Sequence, residues 1–124
     1  MRSIQRNDGF TLMEVLIATV IFAIISLGAV ASMVSVMQGN AFSNKITTAT
    51  TLAQTKLEEI KRLGYTNADN AAGTEDYKTI TNYSAYKRVT SVVPGPVSAM
   101  KTVTVTVYWK ADKRSVPVQT ILAQ

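Results

Sequence analysis

Hydrophobic and polar positions divide the chain into three stretches of different period. From Val15 to Met37 run 23 residues without a charge. A helix of that length is about 35 Å long at 1.5 Å per residue, enough to cross a bilayer core. Thr19, Ser26, Gly28, Ser32 and Ser35 interrupt it with small side chains that let neighbouring helices approach closely. Residues 38–63 change to an amphipathic pattern with no proline to break the helix. Phe42, Ile46, Ala49, Ala53, Leu57, Ile60 and then Leu63 or Gly64 recur at spacings of three and four. Lys45, Gln54, Lys56, Glu58, Lys61 and Arg62 fall mostly on the other side. LAQTKLEEIKRL ends in Lys61 and Arg62 before Gly64, a helix stop. The spacing therefore predicts one helix from Phe10 to Leu63, roughly 80 Å long.

Residues 64–82, GYTNADNAAGTEDYKTITN, are rich in glycine, asparagine and aspartate and read as a connection with a short strand near Tyr77 to Thr81. Tyr83 to Val93 is a strand signal closed by Pro94-Gly95-Pro96. In Met100 to Lys110, Val103, Val105, Val107 and Trp109 alternate with threonine, Tyr108 and lysine, so the valine face should be buried and Trp109 belongs to the core. After a turn at Ala111 to Arg114, Ser115 to Leu122 makes another strand, where Pro117 cannot donate to a ladder and argues for an edge or a bulge. The fold class is α+β: a long N-terminal helix packed on a small antiparallel sheet of three to four strands. Residues 38–124 form one globular domain, with the sheet in 83–124.

Composition narrows the function. The chain has 124 residues, and once a membrane helix is set aside only one small core remains. There is no cysteine, hence neither a disulfide nor a thiolate metal site. There is no histidine, the usual general base and the commonest metal ligand. The reading is a non-enzyme without cofactor or metal. The formal charge is +5. Residues 1–37 carry Arg2 and Arg6 against Asp8 and Glu14, residues 38–63 four bases against two acids, and residues 64–124 seven bases against four acids. Along the sequence these bases are scattered, which reads as a solvated basic surface and argues against nucleic acid as a partner.

Glu14 is the position that composition does not explain. A charge at the bilayer centre costs roughly 2.5–3.5 kcal/mol on insertion scales, and Glu14 is the only one between Phe10 and Asn44. The short polar segment MRSIQRNDG carries two arginines ahead of the apolar run, an arrangement that keeps the N-terminus on the cytoplasmic side. The remaining acids have plainer readings. Asp69, Asn70, Glu75 and Asp76 offer oxygen ligands, but their spacing fits no calcium loop and turn chemistry is favoured. Glu58 and Glu59 are adjacent and point about 100° apart on a helix, so they read as solvated rather than as a carboxylate dyad.

GFTLMEV followed by a long apolar helix resembles the processing signature of type IV pilins and pseudopilins. The resemblance covers a short basic leader, Gly9 before the cut, Phe10 after it and a glutamate, Glu14, fifth from the new N-terminus. It implies that a prepilin peptidase removes residues 1–9, cutting between Gly9 and Phe10, and methylates the Phe10 amine. It implies membrane residence before assembly, as a single-pass inner-membrane protein with its C-terminal domain in the periplasm. It further implies engagement with an inner-membrane assembly platform and entry into a filament whose core is built from helices such as 10–37. In that setting Glu14 would neutralise the Phe10 amine of a neighbour and set the axial register. LAQTKLEEIKRL, YKRV, KTVTVTVYW and VPVQT are similar to PilV-type minor pilins, with the I-type minor pseudopilin of type II secretion close behind. Major pilins commonly have a proline in the membrane segment and a C-terminal disulfide; this chain has neither, which favours a minor subunit. Asp8 departs from the basic or neutral residue usual before the glycine.

Two other readings remain at this level. Ala29-Val30-Ala31 has the form of a conventional signal-peptidase site, which would release a secreted β domain beginning at Ser32, although hydrophobicity resumes at Met33 and Glu14 would be unexplained. A competence pseudopilin would use basic residues of the sheet on DNA.

Overall fold

The computed structural model describes residues 9–124. Helix α1 spans Leu12–Asn67 and is followed by a 3₁₀ turn, Ala68–Ala71. Strands β1 (Gly73–Glu75), β2 (Tyr86–Pro94), β3 (Met100–Trp109) and β4 (Arg114–Ala123) form one sheet in the order β1-β2-β3-β4, each pair antiparallel. The α+β class and the helix-on-sheet arrangement are those expected, with four strands. Two compact units divide between Ala41 and Phe42.

The first unit is helix throughout from Leu12. Its large apolar side chains are exposed, from Leu12 at 86% to Val34 at 47%. Three of its hydroxyls are bonded within the helix: Thr19 Oγ1 donates to the Val15 carbonyl at 2.7 Å, Ser26 Oγ to Phe22 at 2.8 Å and Ser32 Oγ to Gly28 at 3.0 Å. Each thus bonds to the carbonyl four residues back, where a hydroxyl in a helix finds its nearest acceptor.

The second unit owes its core to two patterns that meet. Val103, Val105 and Val107 are fully buried and Trp109 nearly so, as the alternation of β3 requires. They pack with Ala49, Leu52, Ala53, Leu57 and Ile60 of α1 and with Ala68 and Leu122. Burying such a side chain contributes about 1.5–3 kcal/mol. The buried stripe differs from the expected one at three places: Leu52 is on it, while Phe42 is 42% and Leu63 44% exposed. The interval from Ala49 to Leu52 and on to Ala53 keeps the three-and-four spacing, whereas Leu63 lies beside Gly64, whose φ of 77° and ψ of 174° interrupt the helix.

Gly64 is thus where regular helix breaks, but the chain resumes a helical course to Asn67 instead of entering a loop. Contacts from β3 hold this added turn. Lys101 Nζ donates to the Tyr65 carbonyl at 2.9 Å and to Asp69 Oδ2 at 2.8 Å, and lies 4.4 Å from the Tyr65 ring centre.

The short strand expected at Tyr77 to Thr81 is absent, since Tyr77 to Ile80 form turns. The fourth strand is Gly73–Glu75, paired with Arg88 to Thr90 of β2. β2 begins at Tyr86, not Tyr83, because Tyr83 to Ala85 close a turn in which the Tyr86 N–H donates to the Tyr83 carbonyl. Pro117 lies in β4, at the sheet edge as expected. The β2–β3 connection needs Gly95: a side chain there would meet Met100 Cβ at 2.7 Å, and the Gly95 N–H donates to the Met100 carbonyl at 2.8 Å.

Candidate functional site

The first helical turn begins with a cap. The Glu14 N–H is 3.2 Å from Thr11 Oγ1 and 3.1 Å from the Thr11 carbonyl, which also accepts from the Val15 N–H at 3.2 Å. A hydroxyl at the N-cap satisfies a backbone donor that has no intrahelical partner. Thr11-Leu12-Met13-Glu14 has the spelling of a capping box, a threonine followed three residues later by glutamate. That signal was readable in the sequence and marks Thr11 as part of the site alongside Gly9, Phe10 and Glu14.

Gly9, Phe10 and Glu14 are all exposed. No atom beyond its chain neighbours lies within 4 Å of where a Gly9 side chain would stand, so the backbone at the expected cut is open to an enzyme among the described residues. Glu14 is the acidic residue in the first turn of α1, where a carboxylate is stabilised by the helix dipole. The same end of the helix is one turn from Phe10, whose nitrogen becomes an amine if the chain is cut after Gly9. Around this polar point lie Phe10, Val15, Ala18, Thr19 and Phe22 on one side and Met13, Ile17 and Ile21 on the other. Exposed apolar surface of this extent requires a cover, either lipid or other helices. The leader residues 1–8, including Arg2, Arg6 and Asp8, lie outside the described residues.

The acids of the connection do not converge on a common point. Asp69 pairs with Lys101, and Asp76 Oδ1 accepts from the Tyr77 N–H at 2.8 Å. Glu75 pairs with Arg88, whose Nη2 donates to Oε1 at 2.7 Å while Nε donates to Oε2. Arg88 is 8% exposed and its Nη1 also donates to the Leu52 carbonyl at 3.1 Å, so one guanidinium ties β2 to β1 and to α1. The Arg88 hydrogen bonds hold the Glu75 carboxyl below its ordinary range, against the opposing effect of burial. Nothing in the sequence pattern announced a buried arginine: it follows from register, which sets Arg88 opposite Val107 on the core side of the sheet. Glu58 and Glu59 are exposed, and Glu59 pairs with Lys56 at 3.0 Å. None of these groups joins the Glu14 site.

A family model described as prokaryotic N-terminal methylation motif matches residues 4–30. No match to the chain was found among curated proteins or among solved structures. The matched span contains Gly9, Phe10, Glu14 and residues 15–30 of the apolar run. A motif of this type implies processing by a prepilin peptidase and assembly with other pilins, and the exposed apolar helix fits membrane anchoring. The chain thus carries a prokaryotic N-terminal methylation motif at the head of a long helix that leads into an antiparallel sheet, an arrangement consistent with a pilin-like protein.

Proposed function

We propose that the chain is a minor pilin or pseudopilin, a structural subunit that primes, caps or modifies a pilus-like filament in the bacterial envelope and performs no reaction of its own. The observation that supports this most directly is the coincidence of GFTLMEV with the capped start of an exposed apolar helix. In this reading the peptidase cuts after Gly9 and methylates the Phe10 amine. Insertion leaves the apolar run in the inner membrane and the sheet in the periplasm. Glu14 then meets the amine of a neighbouring subunit. Moving a carboxylate and an ammonium together out of water is tolerable where each leaves the other neutralised, while either alone is costly to bury. The assembly platform and the neighbouring subunits complete the list of partners.

The test is the intact mass and N-terminal sequence of the protein recovered from membranes. The expected chain begins at methylated Phe10. A chain beginning at Ser32 would instead establish the signal-peptide reading, and one retaining residues 1–9 would exclude the processing step.

A further inference from the structure

The bases that look scattered in the sequence are gathered by the fold. Lys45 of α1 and Lys110, the first residue after β3, line one cleft with Tyr77, Tyr86 and Trp109. Lys113 follows in the β3–β4 turn, Arg114 opens β4, and Lys87 stands on β2 beside β3. Among the described residues Lys45, Lys110 and Lys113 have no carboxylate partner, and all three are exposed. The acids at this end are Asp112 and Asp76, and Asp112 is already engaged by Lys87 at 3.2 Å and by the Tyr77 hydroxyl at 2.9 Å. At the opposite end of the sheet the turn from Pro94 to Met100 carries no charge, and Lys101 beside it is neutralised by Asp69.

The turn is built to keep its shape. Lys110, Ala111 and Asp112 have φ of 58°, 52° and 61°, three successive left-handed residues with no glycine among them. Such a backbone persists only where its surroundings hold it. Here the Asp112 N–H donates to the Tyr77 hydroxyl at 3.0 Å, and that hydroxyl donates to the Asp112 carboxylate. The location also matters. The Arg114 guanidinium lies 5.2 Å from the centre of the Phe42 ring, and Phe42 follows Met37, the end of the uncharged apolar stretch, by only five residues of chain.

We propose that this end of the domain docks on the anionic phospholipid headgroups of the bilayer that holds the apolar run. Charge complementarity carries the choice of occupant: exposed lysines without acidic partners share a cleft with aromatic residues, and the same end of the domain holds Phe42, five residues of chain past the apolar run, and basic and aromatic side chains are the ones that meet headgroups. The inference rests on the apolar run lying in a membrane. Docking would hold the sheet at the surface until assembly withdraws the helix.

The experiment places the full chain in nanodiscs of phosphatidylcholine and in discs containing about one-third phosphatidylglycerol, whose charge supplies the attraction. Acylation of Lys110 and Lys113 by a water-soluble reagent is followed by mass spectrometry. As the chain has no cysteine, Ala111→Cys also carries a single fluorophore read against quencher-labelled headgroups. The expected result is acylation slowed at least about fivefold in the anionic discs, the factor one lysine at a charged surface is worth, with matching quenching. Both effects should disappear on raising the salt to about 1 M, where the Debye length is about 3 Å. The triple variant Lys45→Gln, Lys110→Gln, Lys113→Gln should lose the lipid-dependent quenching while Trp109 fluorescence reports an intact fold. Equal reactivity and quenching in both lipids, or a lipid effect that survives in the folded variant, overturns the proposal. Failure of the chain to enter either disc overturns the membrane reading itself and the proposal with it.

Discussion

Replacing Glu75 by glutamine removes the charge from one arm of the contact that ties β1 to β2 while leaving a side chain of the same length. The partner, Arg88, has a side chain only 10% exposed, whereas that of Glu75 is 39% exposed. Hydrogen bonds to charged groups contribute about 1.5–3 kcal/mol net, and the exposure of Glu75 screens part of this, so Glu75→Gln should cost about 1–2 kcal/mol at neutral pH. The carboxyl is held below its ordinary value of 4.5 chiefly by hydrogen bonding to Arg88. A depressed acid contributes stability that is present above its unfolded value and lost as pH falls through its folded value. The gap between wild type and Glu75→Gln should therefore be widest at neutral pH and narrow steadily as pH drops below 4.5. Urea unfolding in detergent reads this directly, because Trp109 is the single tryptophan and is 4% exposed. A gap that is absent at neutral pH, or that stays constant into acid, would refute the assignment of the stabilisation to the ionised pair.

Gly9→Val should leave the chain uncut and lodged in the membrane as a monomer; normal incorporation of the uncut protein into filaments would exclude the processing mechanism. Glu14→Gln should be processed and inserted as usual, since a neutral amide is easier to bury than a charge, yet enter filaments poorly. Immunoblots of membranes and of sheared filaments separate the two steps, and wild-type levels in filaments would sink the pairing idea. Deleting residues 1–37 should yield a soluble, folded monomer, while a truncation that starts after Leu57 loses Ala49, Leu52, Ala53 and Leu57 from the core and should aggregate. Identical circular dichroism and melting for the two would contradict the packing of sheet on helix. Ile60→Ala, at a fully buried site, should cost about 2–5 kcal/mol in urea unfolding of the same soluble piece.

Patterns of short period were readable in advance, whereas pairings between distant residues were not. The Val103 to Trp109 alternation specified a strand with one buried face because every second residue must point the same way. Pro117 narrowed its strand to an edge or a bulge because it lacks a donor, and it lies on the edge strand β4. By contrast β1 is three residues, Gly73–Glu75, with no apolar signal of its own. It exists through its pairing with β2 and the grip of Arg88 on Glu75, which are 13 residues apart. The basic end of the domain was equally invisible, since Lys45 and Lys110 meet only when the helix lies on the sheet. At the N-terminus the GFTLMEV signature was plain, and the cap at Thr11 was present in the spelling of a threonine followed three residues on by Glu14.

The hydroxyls of Thr19, Ser26 and Ser32 each keep a bond within their own helix. In hydrocarbon an unbonded hydroxyl would be a penalty on residence, and these three are bonded. Against another helix the same hydroxyl can turn to a neighbour's carbonyl, giving up one acceptor as it gains the next. Passage of this segment from lipid into a packed bundle is thus close to neutral in its hydrogen bonds. The direction of that passage is left to shape, to how closely Gly28 and its small neighbours let another backbone approach, and to the one carboxylate at the helix start.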